Sequence, residues 1–298
     1  MVMRTVNDLY LGTVKLGVAE YGFSSRQENI LEPVDFLNAA GELGMKYFDT
    51  APRYGNSEEI LGQFIQQTKI TPQIATKVEG LQPNDQNSPK KIEESVRNSL
   101  QRLKIKHLEI CYLHQSDLNI ISDPSIQAGL RQVKKLGLCR QIGVSVYDEP
   151  ECRYAVESGM FDVVQLPVNV FDSSLYHQFV QPEKKGIRFI ARSLLLQGLV
   201  GNRDQITTKI AESEPILNYI EQLDTLANQH NYSTVDMALM FVFNLERINQ
   251  FIIGTTNIEN LKHDISCLGK AFPKSLFEQL SNLSKSKKSW ADPRVWTK

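Results

Sequence analysis

The sequence predicts an α/β chain of a single domain spanning 1–298, folded as a closed barrel of eight parallel strands wrapped in helices, a (β/α)8 TIM barrel. Eight short apolar or β-branched runs carry the prediction: DLYLG, MKYFDT, QIATK, HLEICYLH, RQIGVSV, FDVVQLPV, IRFIAR and QFIIGT. Enough chain separates them for a helix in each interval. A length of 298 residues suits one large core of this kind. Polar groups close several of the runs, and in a parallel barrel the strand ends on one side share a rim. A doubly wound open sheet is the alternative reading of the same alternation.

Punctuation between the runs supports the helices. Ser88 and Pro89 read as N-cap and first helical residue, with Ile92, Val96, Leu100 and Leu103 on one face. Asp123 and Pro124 repeat the device ahead of Ile126, Leu130 and Val133. Ser233 opens a helix carrying Val235, Leu239 and Val242. The polar stretch 201–213 reads as a loop over the rim after the seventh strand. The tail from about residue 285 carries Trp290 and Trp296, which either patch the outside of the barrel or wall the substrate pocket.

Acidic residues number 34 against 33 basic ones, and no long basic run appears, so neither nucleic acid nor a membrane surface is an expected partner. No signal-type segment or membrane-spanning stretch is present, and the chain reads as cytoplasmic. Cys111, Cys139, Cys152 and Cys267 are scattered without metal-type spacing and read as reduced, with Cys111 in the core. Oligomeric state is left open.

The rim candidates are Asp49, closing KYFDT; Tyr54 five residues on; Lys77, closing QIATK; and His114, closing LEICYLH. Each has an ordinary explanation alone: a capping acid, a loop aromatic, a solvent-seeking ammonium, a structural imidazole. Together on one rim they can hold a carbonyl and protonate it. A phenol titrates near 10 and is a poor acid at neutral pH, so Lys77 is expected to lower that value, with Asp49 keeping the ammonium charged. His114 as a neutral imidazole would donate to the carbonyl oxygen.

The motifs LGT, FDTAPRYGNSEEILG, ATK, LHQ, QIGVSVY, VVQLPVN, ARSLLLQGLV and IIGTTNIENL resemble those of the aldo-keto reductases, in the family's order and over nearly the whole chain. ARSLLLQGL is most similar to a bacterial branch often encoded beside surface-polysaccharide genes. The resemblance implies a barrel reductase in which a nicotinamide delivers hydride to a small-molecule carbonyl, an aldehyde, ketone or sugar-like compound. Tyr54 would be the proton donor, Lys77 and Asp49 its electrostatic support and His114 the substrate guide.

The same resemblance assigns the cofactor to Gly12, Thr13, Ser145, Gln165, Arg192, Ser193, Gln197, Gly198, Gly254, Thr255, Thr256, Asn260 and Asp264, and the substrate pocket to Tyr21, Trp290 and Trp296. Ser145 and Gln165 match residues that bind the carboxamide, although Gln165 also reads as a buried amide tying strands together. Val146 stands where relatives have Asn, with Asn169 a partial substitute. Arg192 stands where many relatives stack an aromatic ring. Gly254 and Asn260 replace frequent Lys or Arg, and Asp264 a frequent Asn. With free N–H groups at the helix start near Asn257, and charge from Arg203 or Lys209, NADP is the expected cofactor and NAD is possible. No metal is expected. Two other functions compete: a nicotinamide-binding regulatory or redox-sensing module, and a Schiff-base lyase using Lys77.

Overall fold

A computed structural model of the chain describes residues 3–18, 20–23, 31–181, 186–210 and 213–296. The strands are β1 (Leu9–Gly12), β2 (Tyr47–Asp49), β3 (Gln73–Val78), β4 (Leu108–Leu113), β5 (Cys139–Ser145), β6 (Val163–Pro167), β7 (Arg188–Arg192) and β8 (Gln250–Ile253). They pair in sequence order, all parallel, and β8 closes on β1. All eight apolar runs therefore become strands, with ends that differ from the runs by no more than two residues.

Period-two alternation sorts the side chains of each strand. Phe48, Ile74, Cys111, Leu113, Val144, Val164, Phe189 and Phe251 face outward and share one core with the helices. Inward, Tyr10, Ala75, Ile110, Tyr112, Val163 and Ile190 fill the barrel with Tyr47 and Ile252. Toward the N-terminal end, Arg188 plugs the barrel by donating to the side-chain oxygens of Gln141 and Gln250. Two residues beyond the filling layer in the same inward phase stand Asp49, Lys77, Gln165 and Arg192, with Ser145 in register beside Gln165. The strand period thus brings these residues to one rim.

Caps and close packing fix the surrounding helices. Asp123 accepts from Ser125 N at 2.9 Å and Ile126 N at 3.0 Å, and Ser233 accepts from Asp236 N at 3.0 Å, as their sequence positions suggested. The Ser88 reading needs correction. The helix Ser88–Leu103 begins at Ser88 itself with Asn87 as N-cap, and the buried Ser88 hydroxyl has no protein partner. Asp85 organises this entry instead, its carboxylate accepting from Asn87 N at 2.9 Å.

The stretch 201–213 also departs from an open loop. Its described part winds through turns at Arg203–Gln205 and Ile206–Lys209, because Ile206 and Ile210 are buried and pull the chain inward. All four cysteines are buried and free. Among the described residues, no helix is long and apolar enough to cross a membrane.

Candidate active site

Lys77 is the most confined charge of the rim, with its side chain 1% exposed. Its Nζ donates to Asp49 Oδ1 at 2.6 Å and to the Thr50 carbonyl at 2.8 Å. Of its three N–H groups, one remains for Tyr54, whose ring centroid lies 4.9 Å away. Burial by itself would lower the Lys77 pKa, but Asp49 and then Tyr54 outweigh it and the net shift is upward. The amine stays an ammonium, which removes the nucleophile that a Schiff-base lyase requires.

Tyr54 reaches this ammonium from the loop after β2, and two glycines set that loop. A Cβ on Gly17 would lie 1.8 Å from the Tyr54 carbonyl oxygen, and one on Gly55, at φ +57°, would lie 2.2 Å from the Gly17 carbonyl. Only hydrogen on both Cα atoms lets the segments touch. Ser57 anchors the next turn, its hydroxyl 2.7 Å from Thr13 Oγ1 and 3.1 Å from Thr50 Oγ1.

The expected downward shift of the Tyr54 pKa is reversed. Burial raises it, Lys77 opposes with the largest lowering contribution, and the net direction is up. The phenol therefore holds its proton at neutral pH.

His114 faces Tyr54 edge-on, with ring centroids 6.0 Å apart at 85°. Its Nδ1 sits 3.0 Å from Glu79 Oε2, outside the direction of a well-aligned hydrogen bond. Burial lowers the His114 pKa below its ordinary 6.5, and Glu79 only partly opposes this. The neutral ring thus favours the folded state, a contribution complete above pH 6.5 and lost as pH falls toward the lower folded-state value. In Glu79→Gln the raising influence disappears. An NMR titration of the His114 ring is expected to show a midpoint below 6.5 in the wild type and lower still in the variant; an upward movement would contradict this electrostatic account.

The cofactor candidates fall into two groups. Gly12, Thr13, Ser145, Gln165, Arg192, Ser193, Gln197, Gly198, Gly254 and Asp264 line one cleft with the four catalytic candidates and Tyr21. The cleft contains about 990 Å³ of non-protein space, its open mouth included. Thr255, Thr256 and Asn260 lie beside it, off its wall.

Gln165 serves structure as its other reading suggested: Nε2 donates to Asp49 Oδ2 across the barrel at 3.0 Å, and Oε1 lies 3.4 Å from Ser145 Oγ. Asn169 cannot fill the gap at Val146, because it donates to Ser193 O and accepts from Phe171 N and Asp172 N. Ser193, Leu196 and Gln197 all adopt left-handed φ between 47° and 60°, a concentration of strain in the wall after β7.

The helix Ile258–Ser266 does not offer the open N-terminus expected of a phosphate site. Asn257 Oδ1 accepts from Glu259 N at 2.8 Å and Asn260 N at 3.2 Å. Arg203 pairs with Asp224, and Lys209 donates to the Gly22 carbonyl at 2.7 Å. Trp290 packs on Phe171 and Tyr219, and Trp296 on Phe23, with its Nε1 donating to Trp290 O at 2.8 Å. Neither indole lines the cleft.

The sequence profile of the Aldo/keto reductase family matches residues 8–285. The chain belongs to this family. An uncharacterized oxidoreductase of Bacillus subtilis, YqkF, is 26% identical over 277 residues, covering 86% of this chain and 89% of its own length. The NADH-specific methylglyoxal reductase of Escherichia coli K12 is 24% identical, covering 79% of this chain and 82% of its own. In fold, the holo form of an aldo-keto reductase from Bacillus halodurans superposes with a TM-score of 0.75 at 19% identity, over 95% and 94% of the two chains. A glycerol dehydrogenase from Gluconobacter oxydans gives 0.72 at 20% identity, over 96% and 94%.

This aldo/keto reductase family member also carries site residues that the sequence reading missed. Lys15 is on the cleft wall and donates to the Phe23 carbonyl at 3.2 Å. Tyr147 lines the cleft, and Arg294 of the tail stacks on it. Lys15 stands three residues after Gly12 in LGTVK, a local signal; Glu79, Tyr147 and Arg294 have none of comparable strength.

Away from the four catalytic candidates, His263 and Cys267 meet Asp236, although the sequence offered no recognised metal spacing. His263 Nε2 lies 2.7 Å from Asp236 Oδ1. Burial pushes the Cys267 thiol up to about 12, so it donates to Asp236 as a neutral group and the trio ties two helices together.

Proposed function

We propose that the protein is a carbonyl reductase in which Tyr54 donates the proton to the carbonyl oxygen as hydride reaches its carbon. The observation that supports this most is Tyr54, with a raised pKa, held against a buried ammonium that is itself fixed by Asp49. When bound, a nicotinamide supplies the hydride. Tyr54 presents the proton, and Lys77 stabilises the phenolate left after transfer. Asp49 keeps Lys77 charged and aimed. His114 orients the carbonyl, with the Glu79 carboxylate beside its Nδ1.

The cleft suits such a cofactor. Ser145, Gln165 and Arg192 stand at the catalytic end, while Lys15 on the same wall has no carboxylate partner among the described residues, and Lys209, off the wall, donates to the neighbouring Gly22 carbonyl. The Lys15 ammonium supplies countercharge for a pyrophosphate.

The balance between cofactors shifts to NAD(H). The capped helix start at Asn257 offers a 2′-phosphate neither open N–H groups at Glu259 and Asn260 nor an unpaired ammonium, since Lys262 pairs with Glu259. Asp264 on the wall offers a 2′-phosphate no countercharge, its carboxyl pushed by burial, and then by Asp236, up to about 7. The name of the Escherichia coli relative, an NADH-specific enzyme, supports the same choice. Fluorescence titrations are expected to give NADH at least about tenfold tighter binding than NADPH, a difference of about 1.4 kcal/mol. Equal affinities, or tighter NADPH, would overturn the preference. Activity is tested by cofactor oxidation with a panel of aldehydes, ketones and sugar-like carbonyls.

A further inference from the structure

Arg192 closes β7 in the inward phase and is half-buried in the cleft wall. Its Nε lies 3.3 Å from Ser145 Oγ, Nη1 3.3 Å from Ser193 Oγ and Nη2 2.9 Å from Val146 O. All three acceptors are neutral, and among the described residues no carboxylate forms an ion pair with it. A guanidinium has five N–H groups. The three contacts leave one N–H on each terminal nitrogen, a pair able to receive a carboxylate or phosphate.

Tyr147 backs this guanidinium, with the Arg192 Cζ 3.9 Å from its ring centroid. The Arg294 Cζ lies 4.2 Å from the same centroid. Of the two cations on this ring, Arg192 lines the cleft and Arg294 does not. Arg294 is anchored to Asp148 at 2.8 Å and Asp292 at 2.5 Å, and Lys287 also pairs with Asp148. The outer cation belongs to a balanced group of two cations and two carboxylates; the inner one, on the cleft side, has no carboxylate partner among the described residues. An anion arriving at Arg192 would complete a charge the fold has left without a counterion. The Arg192 charge acts on both Tyr54 and Tyr21, which places it within electrostatic reach of the reacting oxygen.

We infer that the carbonyl substrate carries an oxyanion, a carboxylate or a phosphate, that docks on Arg192, and that Arg294 positions Arg192 through Tyr147. This rests on the carbonyl reductase reading and names its substrate class.

The test compares kcat/KM for two matched pairs, 4-oxobutanoate against butanal and glyceraldehyde 3-phosphate against glyceraldehyde. In the wild type at least one anionic member is expected to be favoured by roughly 10- to 100-fold, the range of a charge-assisted hydrogen-bonded contact. Which pair shows the preference distinguishes carboxylate from phosphate. Arg192→Met should collapse that anionic-to-neutral ratio toward one, mainly through KM, whatever loss the two substrates share. Arg294→Ala and Tyr147→Leu should reduce the ratio several-fold, and Tyr147→Phe, which keeps the stacked ring, should restore it.

A ratio near one in the wild type, or a ratio unmoved by Arg192→Met, would overturn the inference. So would a loss confined to NADH affinity measured by fluorescence, which would assign Arg192 to the cofactor. Turnover of neutral aldehydes without anionic preference defeats this inference and leaves carbonyl reduction standing, whereas no turnover of any aldehyde defeats both.

Discussion

Tyr54→Phe is expected to lower kcat for carbonyl reduction by about 10²- to 10⁴-fold, the usual value of a positioned general acid. The substitution removes one oxygen and leaves the ring edge against His114 and the ammonium above the ring face. Cofactor affinity should therefore persist while the chemical step fails. Fluorescence titration and steady-state rates on one preparation separate the two effects. A variant turning over at the wild-type rate would show that the proton comes from elsewhere, and His114 would become the first alternative.

The second large effect is on stability. Lys77→Met leaves Asp49, only 6% exposed, facing an apolar chain where an ammonium stood at 2.6 Å. Breaking a buried pair from one side costs about 3–5 kcal/mol, because the remaining charge loses its counterion and keeps only the neutral Gln165 amide as a partner. Urea denaturation should show a loss of this size. The double variant Asp49→Asn/Lys77→Met should be less destabilised than the sum of the single ones, since no charge is then stranded. Additive losses would mean that Asp49 and Lys77 are not energetically coupled, and that Gln165 and Thr50 hold the rim without them. Activity should be lost in all three variants.

Much of this arrangement was legible in the sequence because strands alternate with period two and a parallel barrel gathers its strand ends. Asp49, Lys77, Ser145, Gln165 and Arg192 occupy inward positions that can be counted along their runs. Other features depend on quantities a sequence does not display. The direction of the Tyr54 shift is a contest between burial and an ammonium, and burial prevails. Asn257 marked a helix start, but whether its side chain capped the N–H groups or left them open depended on its rotamer; an N-cap preference for Asn was the available signal.

The tail was harder to read. Trp290 and Trp296 drew attention as pocket aromatics, yet they cover Phe171, Tyr219 and Phe23, while Arg294 beside them reaches the site by stacking on Tyr147. That contact joins residues separated by most of half the chain, so no local spacing announces it. A rim network follows from it: Lys77 to Asp49, Asp49 to Gln165, Gln165 to Ser145, Ser145 to Arg192, and through Tyr147 to Arg294. The Lys77 ammonium and the last described turn of the chain are members of one set of contacts.

The most direct test of carbonyl reduction is a single-turnover experiment with NADH carrying deuterium at the transferable C4 position and an aldehyde in excess. Oxidation of the cofactor with deuterium recovered on the carbinol carbon, in the wild type and not in Tyr54→Phe, is the predicted result. Saturating NADH binding with no deuterium transfer to any aldehyde, ketone or sugar-like carbonyl would contradict it.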